Sequence, residues 1–256
     1  MQIEDQLVVS YLQSELKFDN HWVFQSIVRG KHLFELPDIK RQHDVKNLLS
    51  MIKSELNDFK PLNLPIYASL YPNWKQIIDE MHVLLVVGCP NPYDAMVREH
   101  DGHLYMIFDL IRLCDYADLG ADIPAIIKQL ITHESSHLCL HKKYPYPTSN
   151  TYIEQLKYII FDEGFAHVLA FQDDISHFDF GSLIQTHYQT SLNQLKDALI
   201  ENKEDKQKQF LLKSNSGPYW DKFAAISGKL FIASRIDDIN DLYDQGVDNF
   251  IKEMGL

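Results

Sequence analysis

His133-Glu134-Ser135-Ser136-His137 reads H-E-x-x-H, the spacing at which two imidazoles can share one metal ion. Residues four apart on a helix lie one turn above each other on the same face. His133 and His137 can therefore aim two ring nitrogens at one ion, and Glu134 stands beside them, placed to take a proton from a water on that ion. The flanking pattern supplies the element that must hold them. Asp122 suits an N-cap, Pro124 suits a first turn, and Ile126, Ile127, Leu130 and Ile131 recur at helical spacing, so a buried helix is expected to run into the motif. Two histidines that merely packed on a helix face would need no acidic residue between them.

A catalytic zinc takes three protein ligands and keeps one position open. A metzincin extension would need Gly at 140 and His at 143; Leu140 and Lys143 exclude it. His141 continues the row by one more turn and is expected as a helix-end residue near the C-terminal dipole. The third ligand is sought in Phe161-Asp162-Glu163-Gly164-Phe165-Ala166-His167. This lies in a second helical stretch, 151–171, with Ile153, Leu156, Ile160, Gly164 and His167 on one face and Tyr158, Phe161, Phe165 and Leu169 on another. A helix apolar nearly all round is buried, and an acidic pair inside it is costly unless paired or bound to metal. Glu163 is the expected ligand and Asp162 the alternative. Gly164 and Ala166 are small enough to let the motif helix approach closely.

His133-Glu134-x-x-His137 followed by Glu163-Gly164-x-Ala166 resembles the gluzincin metallopeptidases, and among them the predicted zinc-dependent proteases with an E-G-x-A motif on the ligand helix. The resemblance covers residues 80–235. It implies a zincin-like fold, Zn2+ held by His133, His137 and Glu163, and Glu134 as the base. It also implies a Tyr or His that donates to the oxyanion of a tetrahedral intermediate. Gly217-Pro218-Tyr219, ahead of a helix bearing Ala224, Ala225, Gly228 and Ala233, is similar to the place where related families carry that tyrosine. Tyr219 is thus the candidate donor, with Lys222 and Arg235 as outside candidates. The thermolysin-type Asp four residues after the ligand Glu is replaced by His167, which could orient a motif histidine, reach the metal, bind substrate or sit satisfied in the core.

The fold class expected is α+β, mainly helical, with a small mixed or antiparallel sheet before the H-E-x-x-H helix. The segment 82–87 reads as a buried strand, 95–98 as a short one, Asp101-Gly102 as a turn and 103–108 as a third strand. The resemblance implies that an edge strand pairs with extended substrate, and 103–108 is expected to be that strand. Residues 1–65 read as an N-terminal helical subdomain, patterned by Leu7, Val8, Tyr11, Leu12 and Leu16 and then by Val45, Leu48, Leu49, Ile52 and Leu56. Residues 66–256 form the expected catalytic domain, helical from about 173. Within it 183–212 reads as a helix with a solvated charge run at 201–206.

A net charge of −12 argues against nucleic acid and anionic membranes as partners. Cys89, Cys114 and Cys139 are odd in number and show no paired spacing; together with an acidic, unpatterned start and no apolar run of transmembrane length they point to reduced thiols in a cytoplasm. Cys139, two residues after His137, points away from the metal face. The expected activity is zinc-dependent hydrolysis of a peptide or protein substrate by an endo- or oligopeptidase. One alternative is an aminopeptidase with the same site, although no G-x-M-E-N motif is present. The other is a non-catalytic zinc-binding module, in which Glu134 would have no task.

Overall fold

The structure, a computed structural model, describes residues 1–28, 30–149 and 151–256. It is mainly helical with one four-stranded mixed sheet. The strands are β1 (Gln2–Glu4), β2 (His82–Val86), β3 (Ala95–His100) and β4 (His103–Asp109), in the order β1-β2-β4-β3. β2 runs parallel to both β1 and β4, and β3 is antiparallel to β4, in register from Ala95 opposite Phe108 to His100 opposite His103. Asp101 and Gly102 close that hairpin with φ of 48° and 78°, the left-handed pair that a two-residue turn with the right twist requires.

The sheet corrects one expectation. The strand at 103–108 is not an edge, because β4 is flanked by β2 and β3; the edges are β1 and β3. The sequence carries the reason: Met106, Ile107 and Phe108 are consecutive and all fully buried, as in a strand covered on both faces.

Contacts group the chain into two units, Met1–Lys60 with Asn73–Leu138, and Pro61–Pro72 with Cys139–Leu256. The first holds the sheet, α1 (Gln6–Leu12), α2 (Gln42–Asn57) and α3 (Leu110–Asp118). Val45, Leu48, Ile52 and Leu56 of α2 are buried as their spacing requires. The helical reading of the first sixty residues misses β1, whose three residues are too few to show a period. Asp109 ends β4 and starts α3. Its Oδ1 accepts from the N–H groups of Ile111 and Arg112 at 2.8 and 3.1 Å, and its Oδ2 from that of Cys89 at 2.6 Å. These donors satisfy a carboxylate with no solvent exposure, yet burial still raises its pKa to about 6.

α4 (Ile123–Lys143) carries the H-E-x-x-H motif and runs through the point where the units divide. The second unit holds α5 (Tyr152–Leu169), α6 (Gln189–Ile200), α7 (Glu204–Ser214), α8 (Phe223–Ala233) and α9 (Gly246–Glu253). The expected helix over 183–212 is two helices preceded by a π-helical turn at Ile184–Tyr188. Between them Glu201 is extended, and its Oε1 accepts from the N–H groups of Asn202 and Lys203 at 3.0 and 2.9 Å. Such side-chain-to-backbone bonds compete with helix, and no apolar residue in 201–206 opposes them.

Every residue of α8 is buried. It lies so close along α5 that a Cβ on Gly228 would stand 2.0 Å from the Ile160 carbonyl oxygen, and one on Gly164 would stand 2.9 Å from the Gly228 carbonyl carbon. Gly164 therefore admits α8 as a close neighbour.

Candidate metal centre

α4 begins where the sequence places it. The Ala125 N–H meets Asp122 Oδ1 at 3.4 Å, and Pro124 needs no donor in the first turn. The two residues inside the motif are buried serines. Ser135 and Ser136 donate to the Thr132 carbonyl at 3.1 and 2.7 Å, so small hydroxyl side chains sit in an apolar environment without orphaned groups. One turn apart, His133 and His137 converge: their Nε2 atoms are 3.1 Å apart and their rings edge to face. Glu134, beside them, is 6% exposed.

Arg98 of β3 feels the Glu134 charge. Burial lowers its pKa, and Glu134 is the first of the charges that raise it again. The guanidinium is held by the carbonyls of Ser26, Ile27 and Val97 at 2.9, 3.0 and 2.7 Å. The sequence reading passed over Arg98, which showed there only as part of a short strand.

α5 is opened by Thr151, whose Oγ1 accepts from the Glu154 N–H at 3.4 Å and donates to the Glu154 side chain, a reciprocal cap. Asp162 and Glu163 have different partners. Asp162 Oδ2 meets His141 Nε2 at 3.1 Å, which gives the last-turn histidine of α4 a role besides its helix-end position. Glu163, its side chain 13% exposed, accepts at Oε1 from Asn215 Nδ2 at 2.8 Å, and its Oε2 lies 3.5 Å from His167 Nε2. Asn215 is a functional candidate that the sequence reading missed, as an isolated amide before a Gly-Pro turn carries no signal of what it faces.

One ligand atom from each of His133, His137 and Glu163 lies within 4.8 Å of the others. His137, His141 and Asp162 meet the same criterion, so both carboxylates singled out from the sequence stand with a histidine pair. The imidazole and carboxylate donors of either set suit a divalent metal.

Beyond His167 the arrangement continues. The His167 ring stands edge-on to Tyr219, centroids 5.4 Å apart. Tyr219 is 37% exposed, but its hydroxyl is desolvated, which raises its pKa, and it accepts from Lys229 Nζ at 2.7 Å. Of the outside candidates, Lys222 Nζ lies 6.0 Å from the Tyr219 ring centroid, and Arg235 is committed to Asp238 and Glu253. Cys139 is buried 3.6 Å from the Tyr67 hydroxyl, and burial pushes its thiol up to about 12. All three cysteines are free and buried. Among the described residues no helix is long and apolar enough to cross a membrane.

Comparison of the chain with family models, curated proteins and solved structures finds no match.

Proposed function

We propose that this chain is a zinc-dependent peptidase of the gluzincin kind. The observation that carries the reading is the convergence of His133 and His137. Two nitrogens on one tetrahedral zinc, each about 2.0–2.1 Å from it, stand about 3.3 Å apart, and the two Nε2 atoms are 3.1 Å apart. Glu163 completes a three-residue donor set of the type that leaves one position open. A zinc ion there supplies Lewis acidity, polarising a scissile carbonyl and bringing the pKa of a water toward about 7.

The chain's own residues do the rest. Glu134, buried next to the histidines, takes the proton of the attacking water and delivers it to the leaving amine. Asn215 and His167 fix the orientation of Glu163. Tyr219 donates to the oxyanion. The small mixed sheet ahead of α4 is compatible with a zincin-like fold, and three buried free thiols suit a reducing cytoplasm.

The test is zinc per chain in the untagged parent and in Glu163→Ala, beside cleavage of free and N-blocked peptides. One zinc in the parent, its loss in the variant and cleavage of blocked peptides support an endo- or oligopeptidase. Cleavage of free peptides alone favours an aminopeptidase, and a parent that takes no zinc overturns the proposal.

A further inference from the structure

Lys229 lies in the middle of α8, a helix without a polar face, and has no solvent exposure. Its ammonium is not placed as an ion pair; among the described residues no carboxylate pairs with it. It sits 3.6 Å from the Phe171 ring centroid, 5.1 Å from that of Tyr219 and 5.7 Å from that of Trp220, and donates to the Tyr219 hydroxyl at 2.7 Å. Trp220 is held in turn by a parallel stack with His187, 3.8 Å between centroids, from the π-helical turn. A linear apolar side chain would fill this space without the penalty of burying an amine. The aromatic faces and the single oxygen compensate that penalty in part, and burial still pulls the ammonium down to about 7.

The direction of the bond to Tyr219 matters. Lysine has donors and, when charged, no acceptor, so Lys229 occupies a lone pair of the phenol oxygen. The phenolic proton is given to no described group. Tyr219 also stands edge-on to His167, which reaches Glu163, so the pair is two side-chain contacts from the expected ligand. We propose that Lys229 is a positioning residue that holds the Tyr219 hydroxyl by its oxygen and leaves the phenolic proton for an oxyanion on the substrate. This rests on the peptidase reading, and Lys229 acts on turnover only through Tyr219.

Two experiments test it separately from that reading. The pairing is read without activity, by NMR of [13C]lysine-labelled protein. Tyr219→Phe, a change at a partly exposed ring, should shift the Lys229 Cε resonance and leave the other lysines in place; an unmoved resonance overturns the pairing. The consequence is read by kinetics on a peptide the parent cleaves. Lys229→Met keeps the side-chain length and is expected to lower kcat about tenfold at unchanged KM, less than the roughly hundredfold loss that removal of an oxyanion donor causes. In a Tyr219→Phe background it should lower kcat no further. Full kcat in Lys229→Met, or an equal loss without the tyrosine hydroxyl, overturns the proposal. If Lys229→Met does not fold, Lys229→Gln, which keeps a donor, is expected to retain kcat, and a Gln variant as slow as Tyr219→Phe overturns it. A parent that cleaves no peptide defeats the peptidase reading alone, while the resonance still decides the pairing.

Discussion

Gly228→Ala tests the closest approach in the fold. The added methyl would stand 2.0 Å from the Ile160 carbonyl oxygen and 3.1 Å from Gly164 Cα. Carbon and a carbonyl oxygen settle at about 3.3 Å or more, so the gap must open by more than 1 Å. The obstructing atoms are helix backbone, with no rotamer to change. Overpacking costs about 1–3 kcal/mol where side chains can adjust, and backbone against backbone belongs at the upper end, about 3. Exchanging Gly for Ala within a helix returns about 1 kcal/mol. The net loss is about 2 kcal/mol, and in a chain of this size that lowers Tm by roughly 4–8 °C.

Gly164→Ala is the matched control. Its methyl meets the Gly228 backbone at 2.9 and 3.0 Å and a flexible Ile232 Cδ1 at 3.3 Å, so the backbones must part by about half an ångström to reach ordinary contact, less than half of what Gly228→Ala demands. The expected order of Tm is parent, then Gly164→Ala, then Gly228→Ala, measured by far-ultraviolet circular dichroism. Parting α8 from α5 also disturbs the helix that carries Glu163, so Gly228→Ala should retain less metal after dialysis. A Gly228→Ala protein that melts with the parent would refute the reasoning, since the contact would then yield without cost.

Glu134→Gln should keep its metal and lose turnover by roughly 10²–10⁴-fold; full activity removes Glu134 from the base role. Asn215→Ala takes away the 2.8 Å donor to Glu163 and should weaken metal affinity about 10–100-fold in a chelator competition, whereas unchanged affinity would leave Asn215 a loop residue. Asp109 gives a pH signature. Burial holds its folded-state pKa at about 6, above its ordinary 3.8, so between these values the native state binds more protons than the unfolded chain. Its contribution to stability therefore falls by about 3 kcal/mol as pH rises from about 4 to about 6. Urea unfolding across this range should show a shallower decline with pH for Asp109→Asn than for the parent, and parallel profiles would refute the burial argument.

What the sequence shows and what it hides divide along physical lines. α4, α5 and the hairpin from β3 to β4 are legible because apolar period, N-caps and turn residues are local properties. β1 is not, since three residues acquire meaning only by pairing with β2 far along the chain. The interior position of β4 depends on the same long-range pairing. Asn215 is silent because a lone amide in a polar loop is compatible with many surroundings, and Arg98 because a strand residue's partners lie on other segments. The break at 201–203 was legible in principle: a run of charges without an apolar stripe gives a helix nothing to bury.

Lys229 was legible too, by the argument that selects Glu163. Both are charged residues in strongly apolar helices, α8 and α5, and a charge in such a place is costly unless something answers it. The structure shows a further parallel. Glu163 precedes Gly164 and Lys229 follows Gly228, and these two glycines are where the backbones touch. The contact that admits no side chain thus lies one residue from Glu163 and one from Lys229. Backbone in direct contact has fewer ways to adjust than interdigitated side chains, so the helices that carry Glu163 and Lys229 are held in a fixed relation to one another. This is a physical reason for glycine at both positions despite its cost to helix stability. It also links the stability of the α5–α8 crossing to the placement of Glu163, so that Gly228→Ala probes both together.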